Sequence, residues 1–180
     1  MLNKIYKDLF NLEGTSGYEH QVRDYMRKFM ENYPQYTIET DHLGSIFAVK
    51  KASDPNAPVV MVAGHMDEVG MMVVGITELG MLKVQNVGGL IGEVFVSQVL
   101  NIHTRNGVIK GVIGGIPPHL KKEQNTQIAE LVLDIGASSK EEALSFGVEL
   151  GNMVLFDNPF AQTKNPHRII AKAIDNRYGC

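Results

Sequence analysis

The chain has 180 residues, 44% hydrophobic and 21% charged, with 17 Lys and Arg against 20 Asp and Glu for a net charge of -3. This is the composition of a globular protein, neither disordered nor membrane-spanning, and its slight acidity leaves no electrostatic footprint for nucleic acid or an anionic membrane. The single cysteine, Cys180, excludes an internal disulfide framework, and the N-terminal segment "MLNKIYKDLFNL" interleaves Lys and Asp with apolar residues, unlike a secretory signal; together these predict a cytoplasmic protein.

In chain order, Leu2, Ile5, Leu9 and Leu12 recur at helical spacing. A second helix is expected in "TSGYEHQVRDYMRKFMENY", with Ser16 and Glu19 as a capping box and Val22, Tyr25, Met26 and Phe29 as its inner stripe. Strands follow at "YTIET" and "IFAVKK" around a turn at "DHLGS". After the loop "SDPNAP" comes "PVVMVAG", apolar on both faces and so read as a central strand. Beyond Gly70 the pieces are short and β-rich, namely "MMVVGI", "MLKVQ", "VFVSQVLNIHT", "VIKGVIGG" and "AELVLDIG", with turn signals at "TELG" and "RNG". That rhythm predicts a small antiparallel barrel or sandwich, interrupted by one helix at "SSKEEALSFG" with Ser138 and Glu141 as a cap pair. "RIIAKAID" then returns to continuous apolar character. The expected fold is α/β, a mixed sheet with flanking helices, formed by residues 1–68 and 168–180 and interrupted by a β-barrel over 69–167.

His65 and Asp67 lie two apart at the C-terminal end of the expected central strand, so both project to one side, where open α/β sheets place ligands. A strand-end His can offer one ring nitrogen to a metal while the other donates to a carboxylate, the orienting role open to Asp67. The plainer reading is a polar pair that caps the strand. Asp175, at the end of a second apolar strand, would emerge on the same rim and has the two oxygens needed to bridge a pair of cations, although an Asp before Asn also caps helices. Glu68 has the opposite strand parity and is expected at the junction with the barrel or at a subunit contact rather than as a general base. His119, in the Pro-stiffened "GGIPPHL", is either a turn residue or a group reaching a neighbouring site in an oligomer. Asn176 and Arg177 could shape the peptide bond at the bridging position or meet substrate, with capping and surface roles equally open, and the nine methionines read as core and interface filler.

"GHMDEVG", "GGIPPHL" and "AIDNRYGC", in this order, together with the earlier "TSGYEHQVRDY", resemble the glutamyl and tetrahedral aminopeptidase family of dinuclear metallopeptidases over the whole chain. The resemblance implies His65 as a metal ligand, Asp67 as its partner and Asp175 as the bridge between two divalent ions, zinc, cobalt or manganese. It implies release of N-terminal residues, acidic ones preferred, from peptide substrates, with the barrel as a dimerisation domain of a homo-oligomer that extends to twelve subunits. The family's Glu-Glu pair, a further Asp ligand and a late His ligand all follow the bridging Asp and have no counterpart before Cys180. A catalytic zinc usually needs three protein ligands; the chain is therefore expected to be the N-terminal portion of a longer enzyme and inactive alone. Two other readings stand beside this one: a dinuclear hydrolase of leucyl-aminopeptidase or deacylase type, and a non-catalytic assembly or peptide-binding module.

Overall fold

The structure, a computed structural model, describes residues 2–115 and 127–180. It divides into two units, one formed by 1–68 with 159–180 and the other by 69–158.

In the first unit the amphipathic N-terminal segment forms α1 (Leu2–Asn11), which buries Leu9 and Phe10. Helix α2 (His20–Met30) buries Val22. Its N-cap is Glu19, whose side chain makes no cap hydrogen bond, and the expected capping box does not form because the Ser16 hydroxyl donates elsewhere, to Asp67. Strands β1 (Thr37–Thr40) and β2 (Ile46–Val49) pair antiparallel. Their turn is held by Asp41, whose Oδ1 accepts from the backbone of Leu43 at 3.0 Å and of Ser45 at 2.9 Å, the self-capping that makes Asp a turn residue.

The apolar run 58–64 departs from expectation. It belongs to no strand, and Val59 is 96% exposed, with Val60, Met61 and Val62 nearly as open. An apolar run becomes a buried strand only where ladder partners and a covering layer exist; among the described residues none pairs with it.

The second unit closes on itself. Strands β3 (Gly70–Ile76), β4 (Leu82–Val87), β5 (Val99–Thr104), β6 (Gly107–Ile113), β7 (Val132–Asp134) and β8 (Met153–Phe156) form a closed antiparallel barrel in the order β3-β4-β7-β6-β5-β8. Period-2 alternation fills it: Leu82 and Val84 of β4 and Leu100 and Ile102 of β5 point into a core shared with Met71, Val73, Ile113, Leu133 and Val154. Phe95 stacks on Phe156 at 4.8 Å between ring centroids. Of "VFVSQVLNIHT", only the second part is strand; Gly92–Phe95 is a 3-10 turn. The four-residue β8 carries no alternation to read, yet it completes the barrel by pairing with both β3 and β5. Gly80 turns the β3–β4 hairpin with φ +79°, where an added Cβ would lie 2.8 Å from that of Ala137. Helix α3 (Lys140–Ser145) begins one residue later than expected: Ser139 accepts from the Glu142 amide, and Glu142 accepts from the Ser138 amide, a capping box over 139–142.

The chain re-enters the first unit at Pro159. Strand β9 (Ala161–Gln162) pairs with β10 (Ile169–Ile170), and that ladder keeps 159–167 with the α/β unit, nine residues ahead of the boundary read from the sequence. The expected strand "RIIAKAID" ends at Ile170, and Asp175 lies instead in the short helix α4 (Ile174–Arg177).

Candidate metal centre

His65, Asp67 and Asp175 come together within the first unit. The His65 ring is held from both sides, with Nδ1 2.9 Å from Asp67 Oδ1 and Nε2 3.2 Å from Asp175 Oδ1. The second Asp67 oxygen accepts from the Ser16 hydroxyl. Asp67 is therefore fixed at both oxygens, while Asp175, 96% exposed, is held among the described residues through His65. His65 is half-exposed.

One backbone contact makes the meeting possible. Gly64 lies against Gly179 so closely that a Cβ on it would sit 2.7 Å from the Gly179 carbonyl carbon. Any side chain at 64 would push apart the segments that carry His65 and Asp175. Within α4, Asp175 and Asn176 leave helical φ/ψ and are joined by a cis peptide bond.

Beneath the exposed cluster lies a buried one. Arg177 is fully buried and its guanidinium donates to five oxygens: Nε to the Met66 carbonyl at 2.7 Å, Nη1 to the carbonyls of Leu9 and Leu12, and Nη2 to the Gly14 carbonyl and Glu68 Oε1, each at 3.2 Å. Lys172 Nζ lies 2.7 Å from the same Glu68 oxygen. Burial pulls Arg177 down from arginine's ordinary range, and the Glu68 carboxylate opposes that shift. Burial likewise pushes the Cys180 thiol up, against the pull of Arg177. Glu68, the last residue before the barrel, turns its carboxylate to Lys172 and Arg177 inside the α/β unit; residues 65–68 form no strand, so this placement comes from those two cations and not from strand parity. Arg177 is neither a surface residue nor open to substrate.

The donor set suits a borderline divalent cation, one imidazole with carboxylates. A neutral imidazole has one N–H and one lone pair, yet both ring nitrogens of His65 face carboxylate oxygens. If Nδ1–H donates to Asp67, the contact between Nε2 and Asp175 needs a second proton or a cation between them. No group of three or more His, Cys, Asp or Glu among the described residues is placed to hold a metal by itself. His119 lies outside the described residues. The sequence did not signal Ser16 as a partner of Asp67, nor the depth of Arg177; only the place of Arg177 two residues after Asp175 pointed toward the buried network.

The family model of the M42 glutamyl aminopeptidases matches residues 44–180. A glutamyl aminopeptidase of Lactococcus lactis is 39% identical over 97% of this chain and 50% of its own length. A lysyl aminopeptidase of Pyrococcus furiosus is 34% identical over 97% and 51%. Among solved structures, the TET aminopeptidase of a marine sediment thaumarchaeote superposes with a TM-score of 0.89 at 32% identity, covering 98% of this chain and 50% of that one. The TET1 peptidase of Pyrococcus horikoshii, described as assembling into a tetrahedron or a large octahedral shell, does so with a TM-score of 0.84 at 28% identity over 99% and 53%. The chain spans about half the length of the relatives it matches, and over that half its fold is theirs, the α/β body interrupted by a β-barrel that the sequence led one to expect. It belongs to the M42 glutamyl aminopeptidase family.

Proposed function

We propose that this chain supplies the first part of a metal-dependent aminopeptidase centre. The observation that carries the reading is the His65 ring held between Asp67 and Asp175, with each ring nitrogen facing a carboxylate oxygen. In this reading His65 Nε2 and Asp175 would hold the metal, a pair of divalent ions of zinc, cobalt or manganese with Asp175 shared between them, and Asp67 would hold His65 by accepting from Nδ1. Ser16 in turn fixes Asp67. When bound, the ions supply Lewis-acid activation of the scissile carbonyl and of water. The protein's own residues present the imidazole lone pair and keep the bridging carboxylate against it.

Two donors fall short of the three that a catalytic zinc requires, so the 180-residue chain is expected to be inactive alone and to act with ligands and a general base supplied from outside it. The substrates are peptides with a free N-terminus. One relative is named for glutamyl and another for lysyl residues; for this protein we propose a preference for acidic N-terminal residues. We propose the barrel as a dimerisation domain of a homo-oligomer, supported by the shells described for the P. horikoshii relative. No helix among the described residues is long and apolar enough to cross a membrane, and a cytoplasmic location is proposed from cysteine usage. Turnover of Glu-, Lys- and Leu-anilides by the full-length protein, with and without chelator, tests the reading. Chelator-sensitive turnover fastest on Glu-anilide is expected; faster Lys or Leu turnover removes the acidic preference, and no turnover with any of them favours the deacylase or module readings.

A further inference from the structure

Arg177 joins the two halves of the cluster in a way their direct contacts do not. It follows Asp175 by two residues along the chain, and its Nε donates to the carbonyl of Met66, the residue between His65 and Asp67. Its remaining N–H groups hold Leu9, Leu12 and Gly14, in the segment leading to Ser16, and Glu68, immediately after Asp67. Gly14 is bound a second time, its carbonyl accepting from the Glu68 amide at 2.9 Å. One guanidinium therefore fixes the backbone beside every member of the Ser16, Asp67, His65 and Asp175 chain, and does so without touching their side chains. Glu68 with Lys172 holds that guanidinium from its far side.

We propose that Arg177, braced by Glu68 and Lys172, is the positioning residue of the metal centre, setting the distance between His65 and Asp175 at which a cation is held. The inference rests on the reading of His65 and Asp175 as ligands. Its physical basis is the planar fork. Five donors in fixed geometry span Met66, the 9–14 segment and Glu68 at once, whereas an ammonium on a flexible stem carries the same charge but cannot reach three directions together. With Asp175 exposed and, among the described residues, tied down through His65, the register of α4 against the 65–68 segment rests on this contact together with the Gly64–Gly179 approach and the bond from Cys180 Sγ to the His65 carbonyl.

Cobalt(II) titration of the full-length, metal-stripped protein, followed by its visible absorption, tests the proposal. Arg177→Lys, which keeps the charge, is expected to bind cobalt about 10 to 100-fold more weakly than wild type, the usual cost of removing a partner that orients a ligand, and to shift the absorption bands. Circular dichroism and thermal melting report whether the variant is folded. A folded Arg177→Lys protein with wild-type cobalt affinity and spectrum would mean that Arg177 serves folding alone, and overturns the proposal. Should that variant not fold, Glu68→Gln, which keeps the shape and the acceptor oxygen, replaces it; a several-fold loss of affinity is expected, and wild-type binding overturns the proposal. Wild-type protein that binds no cobalt overturns the ligand assignment itself, and the two failures are thereby told apart.

Discussion

The two units solve opposite problems. In the barrel every strand has a partner on each side, and its apolar side chains alternate into one core, so the described barrel strands are satisfied by one another. The α/β unit instead buries a charge network, Glu68 with Lys172 and Arg177, and leaves its most continuous apolar run, 59–62, open. An apolar run specifies a strand only conditionally, on partners that satisfy its backbone, whereas a closed antiparallel set carries its partners with it.

Hydrogen exchange sharpens this contrast most. In the 180-residue chain the amides of Val59–Val62 should exchange with no protection, while those of Leu100 and Ile102 should open only with global unfolding of the barrel. Comparable protection in both places would erase the distinction. Arg177→Met, which takes the guanidinium from the carbonyls of Leu9, Leu12 and Met66 and leaves Gly14 to the Glu68 amide and Glu68 to Lys172, should cost about 3–5 kcal/mol in urea unfolding of the α/β unit, with the barrel unaffected. Leu82→Ala should do the converse, lowering barrel stability by about 2–5 kcal/mol through a cavity. The loss of the α3 cap in Ser139→Ala should cost about 1 kcal/mol.

The smallest effect is electrostatic. Hydrogen bonding from the Lys110 ammonium, 2.6 Å away, holds the Asp157 carboxyl below its ordinary value. A depressed carboxyl contributes stability that is present above the unfolded-state value of about 3.9 and is lost as pH falls through the folded one. Lys110→Met should therefore lower the stability of the barrel at pH 7 by no more than about 1 kcal/mol, because the pair is exposed to solvent, with the difference closing below about pH 4. A difference that persists at low pH would show that Lys110 acts through packing.

What was legible in the sequence follows the same division. The barrel strands were readable from alternation and turn residues, down to "TELG", because period-2 patterning and hairpin chemistry are local. Strand β8 was not, since "MVLF" is uniformly apolar and takes its place only from β3 and β5. His65, Asp67 and Asp175 were legible as residue types and do meet, yet by another route than the strands expected for them, through glycine contact and α4. Ser16 was misread because a Ser three residues before a Glu fits a capping box locally, and only tertiary structure reveals that its hydroxyl serves Asp67. Arg177 was illegible because a surface arginine and a fully buried one look alike in sequence.

The central claim, that His65 and Asp175 are two ligands of one metal centre, is tested most directly by the metal content of full-length protein purified from its own cells, beside its Asp175→Asn variant. The account predicts bound zinc, cobalt or manganese in the natural protein and its loss or sharp reduction in the variant, with the fold retained. An unchanged metal complement in the variant, or no metal in either, would contradict it.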